Sequence, residues 1–236
     1  MPALLTMRDL EAVAEGNWLL RGVSLEVEEG STVAVVGGAA AGKSLLLELV
    51  MGLRPLRAGQ IRLSGRDLTS LGSIERQRLG LRCAFQAPPV FPGLSVAELL
   101  ALAAPSVRLD GSAFARIAAY LPELEDHLDQ PIDGLELPLL RLVDLGRALL
   151  GLPRLLLIDM LLPAVGVDRA GELLHALSRD GYTLLVADRY AEVLLGHADY
   201  GYVLAQGRVV AKGRPAELTA DPRLLAACAG DPGAYD

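Results

Sequence analysis

Residues 37–44 read Gly-Gly-Ala-Ala-Ala-Gly-Lys-Ser, between the apolar run Thr32-Val33-Ala34-Val35-Val36 and Leu45-Leu46-Leu47. A glycine-bracketed loop closing on Lys-Ser, Gly-x4-Gly-Lys-Ser, suits one kind of ligand, a polyphosphate. Backbone N–H groups of such a loop, and of the helix start behind it, turn partial positive charge toward phosphate oxygens. Lys43 would reach the β- and γ-phosphates, and the Ser44 hydroxyl would hold Mg²⁺. The motif speaks for binding; it does not by itself require that the ligand be hydrolysed.

For this loop to work, a strand must deliver it and a helix must carry it away. Thr32–Val36 supplies the strand, and the helix beginning at Lys43 is expected to run through Met51-Gly52-Leu53, with Pro55 and Gly59 marking its end. Alternation in Val23-Ser24-Leu25-Glu26-Val27 gives an earlier strand, turned back by Glu28-Glu29-Gly30. Short strands are also expected at Ile61-Arg62-Leu63 and over 81–85, just before Gln86. Pro88, Pro89, Pro92 and Gly93 then make a loop that no helix crosses. From Val96 to about Leu150 the period is helical, with Phe114, Ile117, Ala118 and Leu121 on one face. Continuous apolar runs return at Leu155–Ile158 and Thr183–Val186, as parallel strands covered on both faces require. Two strands near Tyr202-Val203-Leu204 and Arg208-Val209-Val210, then a terminal helix, come last. The pattern is α/β, one domain over 1–236 with an inserted helical subdomain over 87–150.

The 236 residues suffice for one such domain, and a hydrophobic fraction of 52% supports a substantial core. A net charge of −7 argues against nucleic acid as a partner, because phosphate contacts need a basic face. No apolar stretch reaches membrane-spanning length uninterrupted; Glu48 and Asp159 break the best candidates. The N-terminus lacks the pattern of a signal peptide. Two cysteines, Cys83 and Cys228, give neither a disulfide framework nor a metal spacing. A cytosolic protein is the expectation.

Over nearly its full length the sequence resembles the ATP-binding subunits of ABC transporters, most of all those serving branched-chain amino-acid uptake. The residues that carry this are Gly22-Val23-Ser24-Leu25-Glu26-Val27, Met51-Gly52-Leu53, Gly65-Arg66-Asp67-Leu68, Gln86 with Phe91-Pro92-x-Leu94-Ser95-Val96, Gly146-Arg147-Ala148-Leu149-Leu150, and Pro153 to Asp159. Later pieces are Gln206-Gly207-Arg208-Val209-Val210, Gly213-Arg214-Pro215-Ala216-Glu217-Leu218 and Ala220-Asp221-Pro222. The resemblance implies a P-loop NTPase core with a mostly parallel sheet flanked by helices, an N-terminal antiparallel β part and the helical insertion. It implies Mg-ATP held by Gly37, Gly38, Ala39, Ala40, Ala41, Gly42, Lys43, Ser44 and Leu45, with Ser44, Gln86 and Asp159 around the metal. The implied partners are a second ABC ATP-binding subunit, identical or not, and transmembrane permease subunits. They would dock on the Pro-rich loop after Gln86 and the helical subdomain, at the cytoplasmic face of the membrane.

Several positions depart from the family. Ala40 stands for the loop's middle glycine, where a left-handed backbone would cost alanine about 1 kcal/mol. Leu45 replaces a second hydroxyl residue. Met160 occupies the catalytic glutamate's position, and a thioether can neither take a proton from water nor hold it for in-line attack. Asp188 occupies the switch histidine's position and would repel a γ-phosphate; His197, nine residues on, reads as a surface histidine. The signature Leu-Ser-Gly-Gly becomes Leu135-Glu136-Leu137-Pro138. There Glu136 brings negative charge, Leu137 bulk, and Pro138 no N–H, although the same residues make a sound helix start with an acidic first turn. Ala14 takes the adenine-stacking position, with Trp18 nearby, and the segment from Asp159 to Gly166-Val167-Asp168 is two residues longer than the family's. The expectation is a subunit that binds Mg-ATP and hydrolyses it weakly or not at all. A divergent active ATPase and a regulatory or scaffold protein outside transport stay open as alternatives.

Overall fold

The computed structural model describes residues 3–14, 17–103 and 111–229. The fold opens with two long strands, β1 (Ala3–Ala14) and β2 (Asn17–Glu28), and then β3 (Thr32–Val36). Helix α1 (Lys43–Met51), strands β4 (Ala58–Leu63) and β5 (Arg66–Asp67), helix α2 (Ser73–Arg78) and strand β6 (Leu81–Ala84) follow. Next come the helices α3 (Val96–Ala103), α4 (Gly111–Ala118) and α5 (Leu137–Leu150), with two short 3₁₀ turns before α5. The rest is β7 (Leu155–Asp159), α6 (Leu162–Val165), α7 (Val167–Arg179), β8 (Leu184–Asp188) and α8 (Ala191–Gly196). Last are β9 (Tyr200–Ala205), β10 (Arg208–Gly213), α9 (Pro215–Thr219) and α10 (Pro222–Ala229).

Two sheets result. A four-stranded antiparallel sheet runs β2-β1-β4-β5, and a six-stranded sheet runs β10-β9-β3-β8-β7-β6. In the second sheet β3, β6, β7, β8 and β9 pair in parallel, and β10 closes the edge antiparallel to β9. Every residue of β3, β7 and β8 is buried, which is why these strands read as unbroken apolar runs. One core lies between the two sheets around α1; a second joins the other face of the large sheet to α5, α7 and the apolar side chains of α3 and α4. Ile117 and Leu121 enter that second core with Phe114 against it, although α4 itself stops at Ala118.

Element ends differ from the sequence reading in instructive ways. α1 stops at Met51 rather than running through Leu53, because Gly52 turns left-handed (φ +70) and the buried Arg76 of α2 takes the freed carbonyls. Its Nη1 donates to Leu49 O at 2.7 Å and Val50 O at 3.0 Å, closing the helix end as basic residues often do. β6 ends at Ala84, one residue early, where Phe85 N–H turns to the Asp144 carboxylate at 2.7 Å. No helix among the described residues is long and apolar enough to cross a membrane.

Burial also decides the thiols. Cys83 sits in β6, where burial first, then the Asp144 and Asp159 carboxylates, push its thiol well up. Cys228 is half-buried at the end of α10 and is pushed up by burial, with Lys43 opposing. The thiolate is the nucleophile, so a disulfide reagent at pH 8 should leave Cys83 untouched in the folded protein and modify Cys228 slowly. Two fast equivalents before denaturant is added would contradict this burial.

Candidate functional site

Parallel pairing fixes where the chemistry collects. Val36 sits opposite Asp188, and Asp159 opposite Ala187, so β3, β7 and β8 end side by side. The loop from Gly37 to Ser44, Asp159 and Asp188 therefore share the carboxyl edge of the sheet, where open α/β sheets bind ligands.

The loop needs glycine at two points. A Cβ on Gly37 would lie 2.0 Å from Leu204 O, and one on Gly42 (φ +100, the N-cap of α1) 2.8 Å from Leu20 Cδ2. The strain expected at Ala40 is absent: among the described residues Asp9, Ser64, Leu152, Met160 and Gln206 are the non-glycine ones with positive φ, so the left-handed turns fall on the flanking glycines instead. Ala39 and Ala40 are exposed, Ala41 is buried, and Leu45 packs half-buried on the inter-sheet core. Gly38 N–H donates to Ala227 O at 3.0 Å, which ties the loop to α10.

Lys43 is 4% exposed. Its Nζ donates back to Gly37 O at 2.8 Å and Gly38 O at 2.6 Å, bracing the loop from inside. Burial lowers its pKa, and the charges of Asp159 and Asp188 counter that. The Ser44 hydroxyl donates to Gln86 Oε1 at 3.3 Å and lies close enough to Asp159 to favour its charged form. Asp159 Oδ1 is buried with no protein partner. Burial raises the Asp159 pKa, opposed by Ser44, Arg141 and Lys43. A hydroxyl, an amide oxygen and a carboxylate oxygen lacking a donor are hard ligands of the type Mg²⁺ takes, so the donor set fits the metal.

The departures have visible structural roles. Met160 stands at φ +53 with its N–H donating to Ala187 O at 2.8 Å, a left-handed conformation costing about 1–2 kcal/mol off glycine. Asp188 is fully buried, and its carboxylate is engaged by backbone: Arg189 N–H at 2.7 Å and Tyr190 N–H at 3.2 Å on Oδ1, Leu162 N–H at 3.0 Å on Oδ2. It ties the end of β8 to the start of α6, the short helix in the segment after Asp159. His197 follows α8 half-buried, its ring against Gly171 of α7.

Where the resemblance led one to expect the signature, Glu136 is the N-cap of α5, its side group making no capping bond, and Pro138 lies in the first turn. The acidic first turn expected there is corrected: the acid stands one position outside the helix. Leu137 is 56% exposed at this helix start. The side chains of Ala14 and Trp18 lie outside the described residues.

One residue escaped the sequence reading. Arg141 of α5 is 1% exposed, and its Nη2 donates to the Asp159 carbonyl, while Nε and Nη1 have no acceptor. Its neighbours in charge are Asp144, Asp159 and Asp188. The available signal was an opposite-charge pair three apart, Arg141 and Asp144, inside a leucine-rich helix buried on all sides from 141 to 146.

The sequence matches the family described as ABC transporter over residues 20–160, more than half its length. It is 30% identical over 218 residues to the high-affinity branched-chain amino acid transport ATP-binding protein BraG of Pseudomonas aeruginosa, covering 89% of this protein and 93% of that one. It is 33% identical over 225 residues to the lipopolysaccharide export system ATP-binding protein LptB of Acidithiobacillus ferridurans, covering 90% and 91%. Among solved structures, the ADP conformation of MJ1267, an ATP-binding cassette of an ABC transporter, matches with a TM-score of 0.81 at 22% identity, covering 98% of this protein and all of that one. With strand-loop-helix geometry and relatives in agreement, the protein belongs to the ABC transporter family, as an ATP-binding subunit.

Proposed function

We propose that this subunit binds Mg-ATP at the Gly37–Leu45 loop, with Ser44, Gln86 and Asp159 around the metal, and turns it over weakly or not at all. It works beside a second ABC ATP-binding subunit, docked on transmembrane permease subunits at the cytoplasmic face of the membrane, in a system of the branched-chain amino-acid uptake type. The similarity to BraG and the family segments near 206–222 support that assignment. The equal standing of LptB supports lipid export as the competing cargo class.

One observation carries the reading of impaired turnover. The binding elements converge at the ends of β3 and β7, yet the two positions next to them that should act on water hold a thioether and a carboxylate committed to three backbone N–H groups. When bound, the metal would screen phosphate charge; Lys43 would exchange its carbonyl partners for phosphate oxygens. No side group at 160 or 188 would then receive the proton of an attacking water.

Calorimetry of Mg-ATP binding, with phosphate release followed in the same samples, tests this. The parent is expected to bind in the micromolar range, and Lys43→Ala to lose more than tenfold in affinity, on the order of 1.4 kcal/mol. Phosphate release should stay at the background of the Lys43→Ala sample. Release abolished by Lys43→Ala would instead establish a divergent active enzyme, and no binding by either would leave a structural partner.

A further inference from the structure

We propose that a pocket at the end of the large sheet away from the nucleotide loop binds a small apolar zwitterion, of the α-amino acid or dipeptide class. The pocket, about 780 Å³, opens between the outer edge of β2 and the starting ends of β3 and β9. Val33 pairs with Tyr200 there, whereas the nucleotide loop leaves β3 after Val36 at its other end.

The floor is apolar and reaches the core between the two sheets. Met7, Leu25 and Val33 line it, each 1–2% exposed. Beside them the Tyr200 and Tyr202 rings meet edge to face, their centroids 5.3 Å apart and their planes at 62°. Tyr202 is held in place by the edge strand: its hydroxyl accepts Glu26 N–H at 3.0 Å and donates to Glu26 O at 3.4 Å. A pre-formed apolar and aromatic floor with a few polar groups around it is what small-molecule sites offer.

The charges come from different strands. Lys212 stands opposite Tyr202 in the β9–β10 pairing, and Arg214 follows in extended backbone (φ −70, ψ 154). Both cations therefore share the side of the sheet that carries the rings. The acid is Glu26, on the strand whose backbone Tyr202 holds. All three are exposed, and their side chains have no hydrogen-bond or ion-pair partner among the described residues. Arg8 and Glu28 add one charge of each sign, while Asp9 and Asp199 are engaged by the Ser24 hydroxyl at 3.2 Å and Thr32 N–H at 2.8 Å.

An occupant of a single charge would exclude water from the opposite sign without pairing it, and a zwitterion answers both. Its carboxylate would meet Lys212 and Arg214, its ammonium Glu26, and its aliphatic side chain the tyrosine rings. Open α/β sheets take their ligand at the carboxyl ends of the strands, where the Gly37–Ser44 loop lies, so the two sites do not compete.

The test is calorimetry on the full-length protein without nucleotide, using L-leucine, L-leucyl-L-leucine, isocaproate and isoamylamine. At least one of the two zwitterions should bind saturably, and which one does separates amino acid from dipeptide. Both single-charge analogues should bind at least tenfold more weakly. Lys212→Gln/Arg214→Gln should erase the zwitterion's advantage over the amine, and Glu26→Gln its advantage over the carboxylate. These substitutions are at the surface, and thermal melts verify that the variants are folded. No saturable binding of either zwitterion would overturn the proposal, and so would affinities that the charge variants leave unmoved, which place the ligand elsewhere. Isocaproate binding as tightly as the zwitterion would overturn it in favour of a simple anion site. With nucleotide absent throughout, none of these outcomes bears on the Mg-ATP reading, which stands or falls separately.

Discussion

Asp188→His, which installs the residue that the family resemblance implies for this position, is expected to destabilise the protein rather than to awaken catalysis. The Asp188 carboxylate accepts three backbone N–H groups at 2.7, 3.0 and 3.2 Å while fully buried. A neutral imidazole has one acceptor nitrogen, so at least two donors lose their partner. A buried donor left unsatisfied costs about 1–3 kcal/mol, which applies in full to Leu162 N–H and in part to the part-buried Arg189 and Tyr190 N–H groups. Relief of the buried charge returns part of this, because burial already raises the Asp188 pKa; the donors outweigh it, being at least two against one charge that can protonate. The urea midpoint should fall by the equivalent of about 3 kcal/mol at unchanged slope, with phosphate release still at background. Asp188→Asn keeps the shape and Oδ1, so its loss should be smaller and confined to the Leu162 contact. It should also remove a pH dependence. A carboxyl whose folded pKa lies above its unfolded value binds more protons in the native state through that window, so its contribution to stability falls as pH rises from the ordinary carboxylate range to the raised value. A His variant as stable as the parent, and releasing phosphate, would sink the structural role assigned to Asp188.

Why some of this was legible in the sequence and some was not follows from how burial writes itself into sequence. β3, β7 and β8 are covered on both faces and flanked by turn residues, so four or five apolar residues in a row located them and the loop they carry. β1 carries no such run. Leu5 and Met7 face the core, then Asp9 turns left-handed at φ +49 and the pairing with β2 slips, so that Leu10 and Ala12 become the buried pair. A bulge that shifts the phase of alternation erases the period-two signal across it, and Ser24 stabilises it by accepting Asp9 N–H at 2.8 Å. At the site, the P-loop was readable because its glycines and lysine act through spacing alone. The strain expected at Ala40 was misplaced because backbone conformation belongs to the loop as a whole; Gly37 and Gly42 bear its tight approaches. Asp188 was read as a misplaced charge facing phosphate because a one-letter position shows what a residue could repel, not which N–H groups it satisfies.

Arg141→Met is expected to cost about 3–5 kcal/mol, the range for breaking a buried charge arrangement by removing one partner. The opposite outcome has a real basis. Arg141 is 1% exposed, two of its donor nitrogens have no acceptor, and burial lowers its pKa, so replacement by a thioether of similar length would shed a desolvation cost. What decides the sign is the surrounding charge. Asp144 is already paired with Arg147 at 2.7 Å and accepts Phe85 N–H. Asp159 and Asp188 are both buried, however, and the charge of Asp188 adds to the burden on Asp159, which Arg141 and Lys43 relieve. Without Arg141 the two buried carboxylates would share Lys43, whose own charge burial disfavours. Arg141 also links elements: it runs from α5 to the carbonyl of the residue ending β7, so it fixes the helical segment against the strand that presents Asp159. A double-mutant cycle with Asp159→Asn separates charge from packing. If Arg141 acts by balancing Asp159, the asparagine should recover about 1–3 kcal/mol of the loss in the Arg141→Met background. The Arg141→Met protein should also gain more from added Mg²⁺ in thermal melts than the parent does, since its orphaned Asp159 then has the metal as its main counter-charge. Additive losses, with no difference in the response to Mg²⁺, would reduce Arg141 to a packing residue and leave Lys43 as the sole electrostatic support of this carboxylate.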